Sequence, residues 1–141
     1  MQLTAYLLWG APMEITKVRV QLPDRRSTSQ IVKAYCSIEF DDCLAVHELR
    51  LLEVDNRLFV AMPSRESRIN CQKCGDKNNV SHRYCSSCGA DMAPQKSHLK
   101  PNFLRTRHRD VVHPFTKEMR TEIESRVLEE YHRLVNSHAS H

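Results

Sequence analysis

Hydrophobic and polar residues alternate along four consecutive stretches in the first half of the chain. In "EITKVRVQL", Val18, Val20 and Leu22 fall on one face of an extended chain, and the residues between them are polar. The stretches "IVKAYCSIEF", "CLAVHELRLLEV" and "RLFVAMPS" follow, and Asp41-Asp42 and Asp55-Asn56 are typical of tight turns between strands. A period of two is the signature of a half-buried strand, so the pattern predicts a four-stranded antiparallel meander.

The period becomes helical near the C-terminus. Thr116 is the predicted N-cap, with Glu118 in the first turn near the positive end of the helix. From there apolar residues recur every three or four positions and form one core-facing stripe: Met119, Ile123, Val127, Tyr131 and Leu134. The i,i+4 pairs expected on the outer face are Glu122–Arg126 and Glu129–Arg133.

The chain between the meander and the helix, residues 65–108, has no sustained apolar periodicity. It contains Cys71, Cys74, Cys85 and Cys88 in the pattern C-x2-C-x10-C-x2-C. Two such knuckles can direct four thiolates toward one point, as tetrahedral Zn²⁺ requires. Gly75 and Gly89 follow the second cysteine of each pair, where a left-handed turn lets backbone N–H groups point at the sulfurs. The spacing predicts a structural Zn²⁺ held by these cysteines in a small zinc ribbon.

Other interpretations of the cysteine pairs stay open. The four sulfurs also suit an iron site, a redox-active dithiol or, in an exported protein, disulfides. His82 could replace one cysteine as a ligand. Four thiolates leave no open coordination position, which argues against catalytic zinc. Cys36 and Cys43 lack a knuckle partner, and Cys36 lies on the apolar face of a predicted strand, where it is expected to be a small core residue.

No run of about 18 apolar residues is present, and the start "MQLTAYLLWGAP" lacks the basic segment of a signal peptide. The sequence therefore predicts a cytoplasmic protein with no membrane association, in a reducing compartment where cysteines are thiols or metal ligands.

Positive charge is concentrated in the middle of the chain. Residues 65–109 contain ten Lys/Arg and three Asp/Glu, a formal +7, whereas the rest of the chain has 11 basic and 14 acidic residues, a formal −3. The sum is the net +4 of the whole chain. A basic segment in an acidic body indicates an anionic partner, nucleic acid first. The alternative is an ordinary charged surface loop.

The sequence around the cysteine module is more specific. The segments "MEITKVRV", "AVHELRLLEVDNRLFVAMPS", "RDVVHP" and "LEEYHRL" together resemble the SpoVG family of bacteria, the stage V sporulation protein G or septation regulators. The resemblance covers residues 13–64 and about 109–134.

The resemblance implies an α+β fold, with a bent antiparallel β-sheet and a C-terminal helix, into which the small zinc ribbon is inserted here. It also implies a homodimer joined through strand pairing between chains. Members of the family bind DNA, and some bind RNA, as regulators, and none is known as an enzyme. In agreement, the sequence contains no Ser/His/Asp set, paired carboxylates or phosphate-cradling glycine loop.

Two departures from the family pattern affect the loop where the family's nucleic-acid contacts are expected. Pro63-Ser64 is usually followed by two basic residues, but here the second position is Glu66. The loop is also expanded by the cysteine module, whose own basic residues can substitute. Arg109 has a second possible role, an ion pair beside Asp110. The predicted nucleic-acid-binding residues are Arg65, Arg68, Lys96, Lys100, Arg105, Arg107 and Arg109.

These observations predict five segments. Residues 1–12 are a disordered leader or an over-long gene start, residues 13–64 and 109–134 form the SpoVG-like domain, residues 65–108 form the zinc ribbon with a basic linker, and residues 135–141 are a flexible tail. A short fifth strand is predicted around Val111 and Val112, before Pro114.

The predicted function is that of a dimeric nucleic-acid-binding regulator whose zinc ribbon extends the binding loop. The alternative is a protein-interaction adaptor in which the ribbon docks a protein partner. A third interpretation, a metal- or redox-sensing regulator, requires reversible loss of zinc.

Overall fold

The computed structural model describes residues 13–26, 29–101, 103 and 107–140, so the predicted leader and Arg105 lie outside the described residues. The chain divides into two compact units, one made of residues up to Pro63 and from Val112, the other of Ser64–Val111. The elements in chain order are β1 (Ile15–Gln21), β2 (Val32–Phe40), β3 (Leu44–Val54), β4 (Arg57–Ala61), β5 (Ser64–Glu66), β6 (Arg68–Asn70), β7 (Lys77–Asn79), α1 (Ala93–Lys96), β8 (His108–Asp110) and α2 (Lys117–Ala139).

The first unit contains a four-stranded antiparallel sheet in the order β1-β2-β3-β4. This confirms the predicted meander. The alternation of the sequence is visible in the burial of β2, where Ala34, Cys36, Ile38 and Phe40 are buried and Tyr35 is exposed. β1 and β4 are the two outer strands of this sheet within the described residues.

The two hairpin turns lie where the acidic residues predicted them. Asp41 and Asp42 have φ values of 52° and 53°, and Asp55 and Asn56 have φ values of 52° and 61°. Asp and Asn tolerate this left-handed region better than other non-glycine residues, and two successive positive φ angles are typical of a type I′ hairpin turn.

A β-bulge interrupts the pairing of the two longest strands. The register between β2 and β3 shifts between Cys36 and Ile38, opposite a segment in which Glu48 has a φ of 65°. A second shift lies between Val32 and Ala34. Bulges bend the strand and increase its twist, so a curved sheet is the physical consequence.

Helix α2 covers this sheet along the predicted stripe. Thr116 is its N-cap, and the Thr116 hydroxyl accepts a hydrogen bond of 3.2 Å from the Met119 N–H. Ile123 and Val127 are buried against the sheet, and Met119 and Tyr131 pack at the edge of the same cluster. The buried core of the unit comprises Ile15, Ala34, Cys36, Ile38, Phe40, Leu49, Leu51, Val60, Met62, Ile123 and Val127.

The prediction of two i,i+4 ion pairs on the helix surface is wrong. The guanidinium of Arg126 donates to the Ile15 carbonyl at 3.2 Å instead of pairing with Glu122, and Arg133 binds Glu130 instead of Glu129. The contact with β1 is a tertiary interaction, which helical spacing alone does not reveal. Since Arg126 bonds to a strand, it helps to attach the helix to the sheet.

The strand before helix α2 and the C-terminal end of the helix also differ from the prediction. The strand predicted around Val111 and Val112 lies earlier in the chain, as β8 (His108–Asp110). Val111 and Val112 themselves are 57% and 42% exposed and lie in a bend. The helix continues to Ala139, into the segment 135–141 that the sequence predicted as a flexible tail. Among the described residues, no helix combines the length and the apolar character needed to span a membrane.

Candidate metal centre and basic ribbon

The second unit begins and ends in a two-stranded antiparallel ribbon. β5 pairs with β8 in the register Ser64–Asp110, Arg65–Arg109 and Glu66–His108. The Ser67 N–H continues the ladder by donating to the Arg107 carbonyl at 2.6 Å. We call this pair of strands the basic ribbon. The basic ribbon brings together two of the predicted nucleic-acid-binding residues, Arg65 and Arg109, which are far apart in the sequence.

Arg65 and Arg109 are exposed and directly opposite one another on the basic ribbon. Like charges at directly opposed positions destabilise a strand pair. Within the part of the chain that the structure describes, neither guanidinium has a carboxylate partner within 4.0 Å, so the alternative role of Arg109 in an ion pair is not observed. The guanidinium carbon of Arg109 lies 5.5 Å from the centroid of the Phe103 ring, a cation–π distance.

Glu66, the acidic residue at an expected basic position, faces a different group. Its carboxylate accepts a hydrogen bond of 2.9 Å from the Ser81 N–H. Hydrogen bonds from Ser81, together with nearby histidines, lower the pKa of Glu66. Glu66 therefore stabilises the turn after β7 and does not neutralise the positive charge of Arg65.

The other predicted nucleic-acid-binding residues are placed differently. The Arg68 guanidinium donates to the Lys77 carbonyl at 3.0 Å, and the Lys96 ammonium donates to the His82 carbonyl. These two cations are engaged with the backbone of the module. Lys100 and Arg107 are exposed, and Arg107 adjoins the ribbon.

Both cysteine pairs are built as the same knuckle. In the first, the Cys71 carbonyl accepts from the Gly75 N–H at 2.8 Å, and in the second the Cys85 carbonyl accepts from the Gly89 N–H at 3.0 Å. The glycines have φ values of 80° and 72°, a region that L-residues with a Cβ rarely adopt. The predicted left-handed turns are therefore present at both positions.

The knuckles bring the four sulfurs together. The Cys71 and Cys88 Sγ atoms are 3.7 Å apart, the Cys74 and Cys85 Sγ atoms are 3.6 Å apart, and all four lie within 4.8 Å of one another. A tetrahedral Zn²⁺ with Zn–S bonds of about 2.3 Å requires sulfurs separated by about 3.8 Å. The donor set and its dimensions therefore fit one metal ion. His82 is outside this group of donors.

Backbone N–H groups of the knuckles favour the ionised form of two of these cysteines. The Cys88 N–H is the largest cause that lowers the pKa of Cys85, to about 6, and the Cys74 N–H is the largest that lowers the pKa of Cys71. At Cys74 the Asp76 N–H lowers the pKa, but desolvation and hydrogen bonds with the other three sulfurs outweigh it, and the pKa rises to about 12. A metal ion removes this competition between thiols, because every metal-bound cysteine is a thiolate.

Short elements hold the first knuckle in place. The Gln95 side chain on α1 accepts from the Gln72 N–H at 3.1 Å and donates to the Asn70 carbonyl at 2.8 Å. The buried apolar cluster of the module consists of Cys71, Cys85 and Met92, so two of its three members are metal-ligand candidates. So small a core by itself supplies little folding free energy.

Asn78 is a site residue that sequence reasoning missed. It is 1% exposed, and its amide nitrogen donates to the Cys85 Sγ at 3.3 Å. Nothing in the polar stretch "GDKNNV" distinguishes it from its neighbours, because the contact depends on the pairing of β6 with β7.

Cys36 and Cys43 play no part in the cluster. Cys36 is 5% exposed in the core of the first unit, which confirms the predicted core cysteine, and burial raises its pKa to about 11. Cys43 is exposed in the turn between β2 and β3.

Comparison with known sequences identifies the family. The sequence model of the SpoVG family matches residues 13–133. The chain belongs to the SpoVG family. The matched range runs from the start of the sheet into helix α2.

Relatives in the SpoVG family are candidate septation proteins. One, from Treponema denticola, is 41% identical over 70 residues, which cover 50% of this chain and 67% of that protein. Another, from Clostridioides difficile, is 32% identical over 121 residues, which cover 85% of this chain and 88% of that protein. A third, from Borreliella burgdorferi, is 33% identical over 57 residues, and the alignment spans 59% of its length.

Proposed function

We propose that this SpoVG-family chain is a non-enzymatic, cytoplasmic regulator that binds DNA or RNA as a homodimer and uses a structural zinc ribbon to extend its binding surface. The observation that carries the proposal is the exposed pair Arg65 and Arg109 on the basic ribbon. The names of the relatives refer to septation, and the proposed role in regulation rests on that kinship.

The basic ribbon has the features of a phosphate-binding surface. Two guanidiniums on one face present planar sets of N–H donors that match phosphate oxygens. The strand pair bears a repulsion between like charges that a bound phosphate would remove. The Phe103 ring supports the Arg109 guanidinium on one side, which reduces the side-chain freedom lost on binding.

The charge of the surrounding segment favours the same partner. Residues 65–109 carry a formal +7, and a tetrathiolate zinc centre, with a net charge of −2, would leave about +5. A positive field of this kind attracts the nucleic-acid backbone without reading its sequence. Contacts of this type fix affinity and orientation, so the proposal makes no statement about a target sequence.

The metal in this proposal is Zn²⁺ held by Cys71, Cys74, Cys85 and Cys88. All four candidate donors are sulfur, the soft ligand that selects zinc or iron–sulfur chemistry, and their separations match a tetrahedral edge. With four protein ligands the ion has no open position, so its contribution is to hold the two knuckles together. The residues between the knuckles are then kept in a fixed shape.

Strand pairing at β4 is the proposed basis of the dimer. An outer strand exposes unpaired backbone groups, and charged residues usually protect such edges. β1 carries Lys17, Arg19 and Gln21 on its exposed face, whereas β4 has an exposed charge only at its first residue, Arg57, and Phe59 at its centre is 40% exposed. The first unit also has an apolar cavity of about 310 Å³ beside Phe115, which is 96% exposed, and exposed apolar surface of this kind is typical of an interface.

Binding to random-sequence DNA and RNA pools at two salt concentrations, with and without a chelator, tests the proposed function. Several phosphate contacts predict that affinity falls about 10³-fold or more between 50 and 200 mM salt. Chelation is expected to weaken binding further. Affinity that is weak and independent of salt in both pools would contradict the proposal.

A protein-interaction adaptor is the second candidate. Tyr84, adjacent to Cys85, is 55% exposed, and the guanidinium carbon of Arg83 lies 5.5 Å from its ring centroid. An exposed aromatic residue beside a metal knuckle is a typical anchor for a protein partner. Capture of a defined protein that is lost on Tyr84→Ala, together with salt-insensitive nucleic-acid binding, would favour this function.

A further inference from the structure

We infer that Asn78 is a positioning residue of the metal centre, which fixes the Cys85 sulfur by a buried N–H···S hydrogen bond and joins the two knuckles to each other. The inference rests on the proposed metal site and identifies a determinant of its affinity. It concerns a side chain that is not itself a ligand.

The Asn78 amide uses its full hydrogen-bonding capacity. Its nitrogen donates to the Asp76 carbonyl at 3.1 Å and to the Cys85 Sγ at 3.3 Å. Its oxygen accepts from the Ser86 N–H at 2.8 Å and from the Ser86 hydroxyl at 2.9 Å. Two donated and two accepted bonds are the maximum for a primary amide. A flipped amide would place its oxygen against the Asp76 carbonyl, so the orientation that aims a donor at the sulfur is fixed.

The partners of Asn78 belong to both knuckles. The Asp76 carbonyl also accepts from the Cys71 N–H at 2.8 Å, so this contact leads directly to the first cysteine pair. Ser86 lies between Cys85 and Cys88, inside the second pair. Asn78 itself is held opposite Ile69 by the pairing of β7 with β6. One buried side chain therefore fixes the distance between the two halves of the sulfur cluster.

The bond to Cys85 also has an electrostatic effect. Four thiolates around one divalent ion carry a net charge of −2, and each N–H that points at a sulfur spreads part of this charge. Because Asn78 is only 1% exposed, its donor is not replaced by water when it is removed. Loss of a residue that orients a metal ligand typically lowers metal affinity 10- to 100-fold.

Two substitutions separate the hydrogen bond from the charge. Asn78→Asp keeps the shape and the acceptor for Ser86 but loses both donated bonds and adds a negative charge. Asn78→Leu removes the hydrogen bonds and adds no charge. Ser86→Ala is the matched control, because it removes only the hydroxyl bond to Asn78 and leaves the Ser86 N–H in place.

Zinc affinity of the full chain, measured by competition with a chromogenic chelator, is expected to fall 10- to 100-fold in both Asn78 variants and to change less than about threefold in Ser86→Ala. At saturating Co²⁺, the sulfur-to-metal charge-transfer band is expected to shift in both Asn78 variants. A residue that only supports the fold would lower affinity without moving this band.

The failures of the two claims are distinguishable. If the parent chain binds neither Zn²⁺ nor Co²⁺, the proposed metal site is wrong and the inference fails with it. If the parent chain binds metal and both Asn78 variants have unchanged affinity and an unchanged band, the role of Asn78 is refuted and the metal site stands. An effect in Asn78→Asp alone would refute the hydrogen-bond explanation, because added charge would then be sufficient.

Discussion

Arg65 and Arg109 face each other across the basic ribbon, and within the described residues neither has a carboxylate partner. Directly opposed like charges destabilise a strand pair. The fold bears this cost at the two points where the inserted unit begins and ends. An anionic ligand that bridges the two guanidiniums would convert the repulsion into binding free energy.

Removal of the metal is expected to unfold the module and to leave the first unit folded. The buried apolar cluster of the module contains only Cys71, Cys85 and Met92, whereas the first unit has its own larger core. Chelation should therefore abolish amide hydrogen-exchange protection across residues 71–91 and leave β2 protected. Addition of Zn²⁺, but not Mg²⁺, should restore the lost protection. Full protection of residues 71–91 in protein shown by mass spectrometry to be metal-free would contradict the metal's folding role.

The two cysteines outside the cluster are expected to differ in reactivity. Burial raises the pKa of Cys36 from 9.0 to about 11, so near neutral pH its reactive thiolate is about 100-fold rarer than that of an unperturbed thiol. Cys43 is exposed. Iodoacetamide labelling of the zinc-loaded protein, followed by peptide mass spectrometry, should modify Cys43 first. Labelling at equal rates in denaturant is the control, and equal rates in the native protein would contradict the burial of Cys36.

The proposed dimer predicts a large effect of charge on the β4 edge. Phe59→Lys places an ammonium on the exposed apolar part of this strand and is expected to weaken self-association at least about tenfold, because the charge must be desolvated on pairing. Analytical ultracentrifugation over a concentration series measures the change. Ser125→Lys on the exposed face of α2 is the matched control. A dimer with the same dissociation constant in both variants would exclude β4 as the interface.

Local patterns in the sequence predicted the larger elements well. Val18, Ala34 and Ile38 alternate with polar residues because each strand has one face in the core, and Ile123 and Val127 repeat at helical spacing for the same reason. The cysteine spacing likewise predicted that four sulfurs converge, since each knuckle is a local structure. Periodicity and knuckle spacing are properties of short segments, so they can be recognised in the sequence without knowledge of the fold.

Features that depend on contacts between distant segments could not be predicted from the sequence. β5 and β8 are short, polar and separated by the whole cysteine module. No local sequence pattern therefore predicts that Arg65 lies opposite Arg109. The hydrogen bond from Asn78 to Cys85 and the bond from Arg126 to the Ile15 carbonyl arise only after the chain is packed. The predicted pair Glu122–Arg126 failed because a tertiary acceptor competes for the same guanidinium.

The salt dependence of nucleic-acid binding by the double variant Arg65→Ala, Arg109→Ala tests the central claim most directly. Each lost phosphate contact reduces the slope of log K against log salt by about 0.9, so the slope should become shallower by about 1.8 for DNA. Arg120→Ala with Arg133→Ala on α2 removes the same charge from guanidiniums that are paired with Glu124 and Glu130, and should leave the slope unchanged. A slope for the ribbon variant equal to that of the parent chain, with the metal still bound, would contradict binding at the basic ribbon.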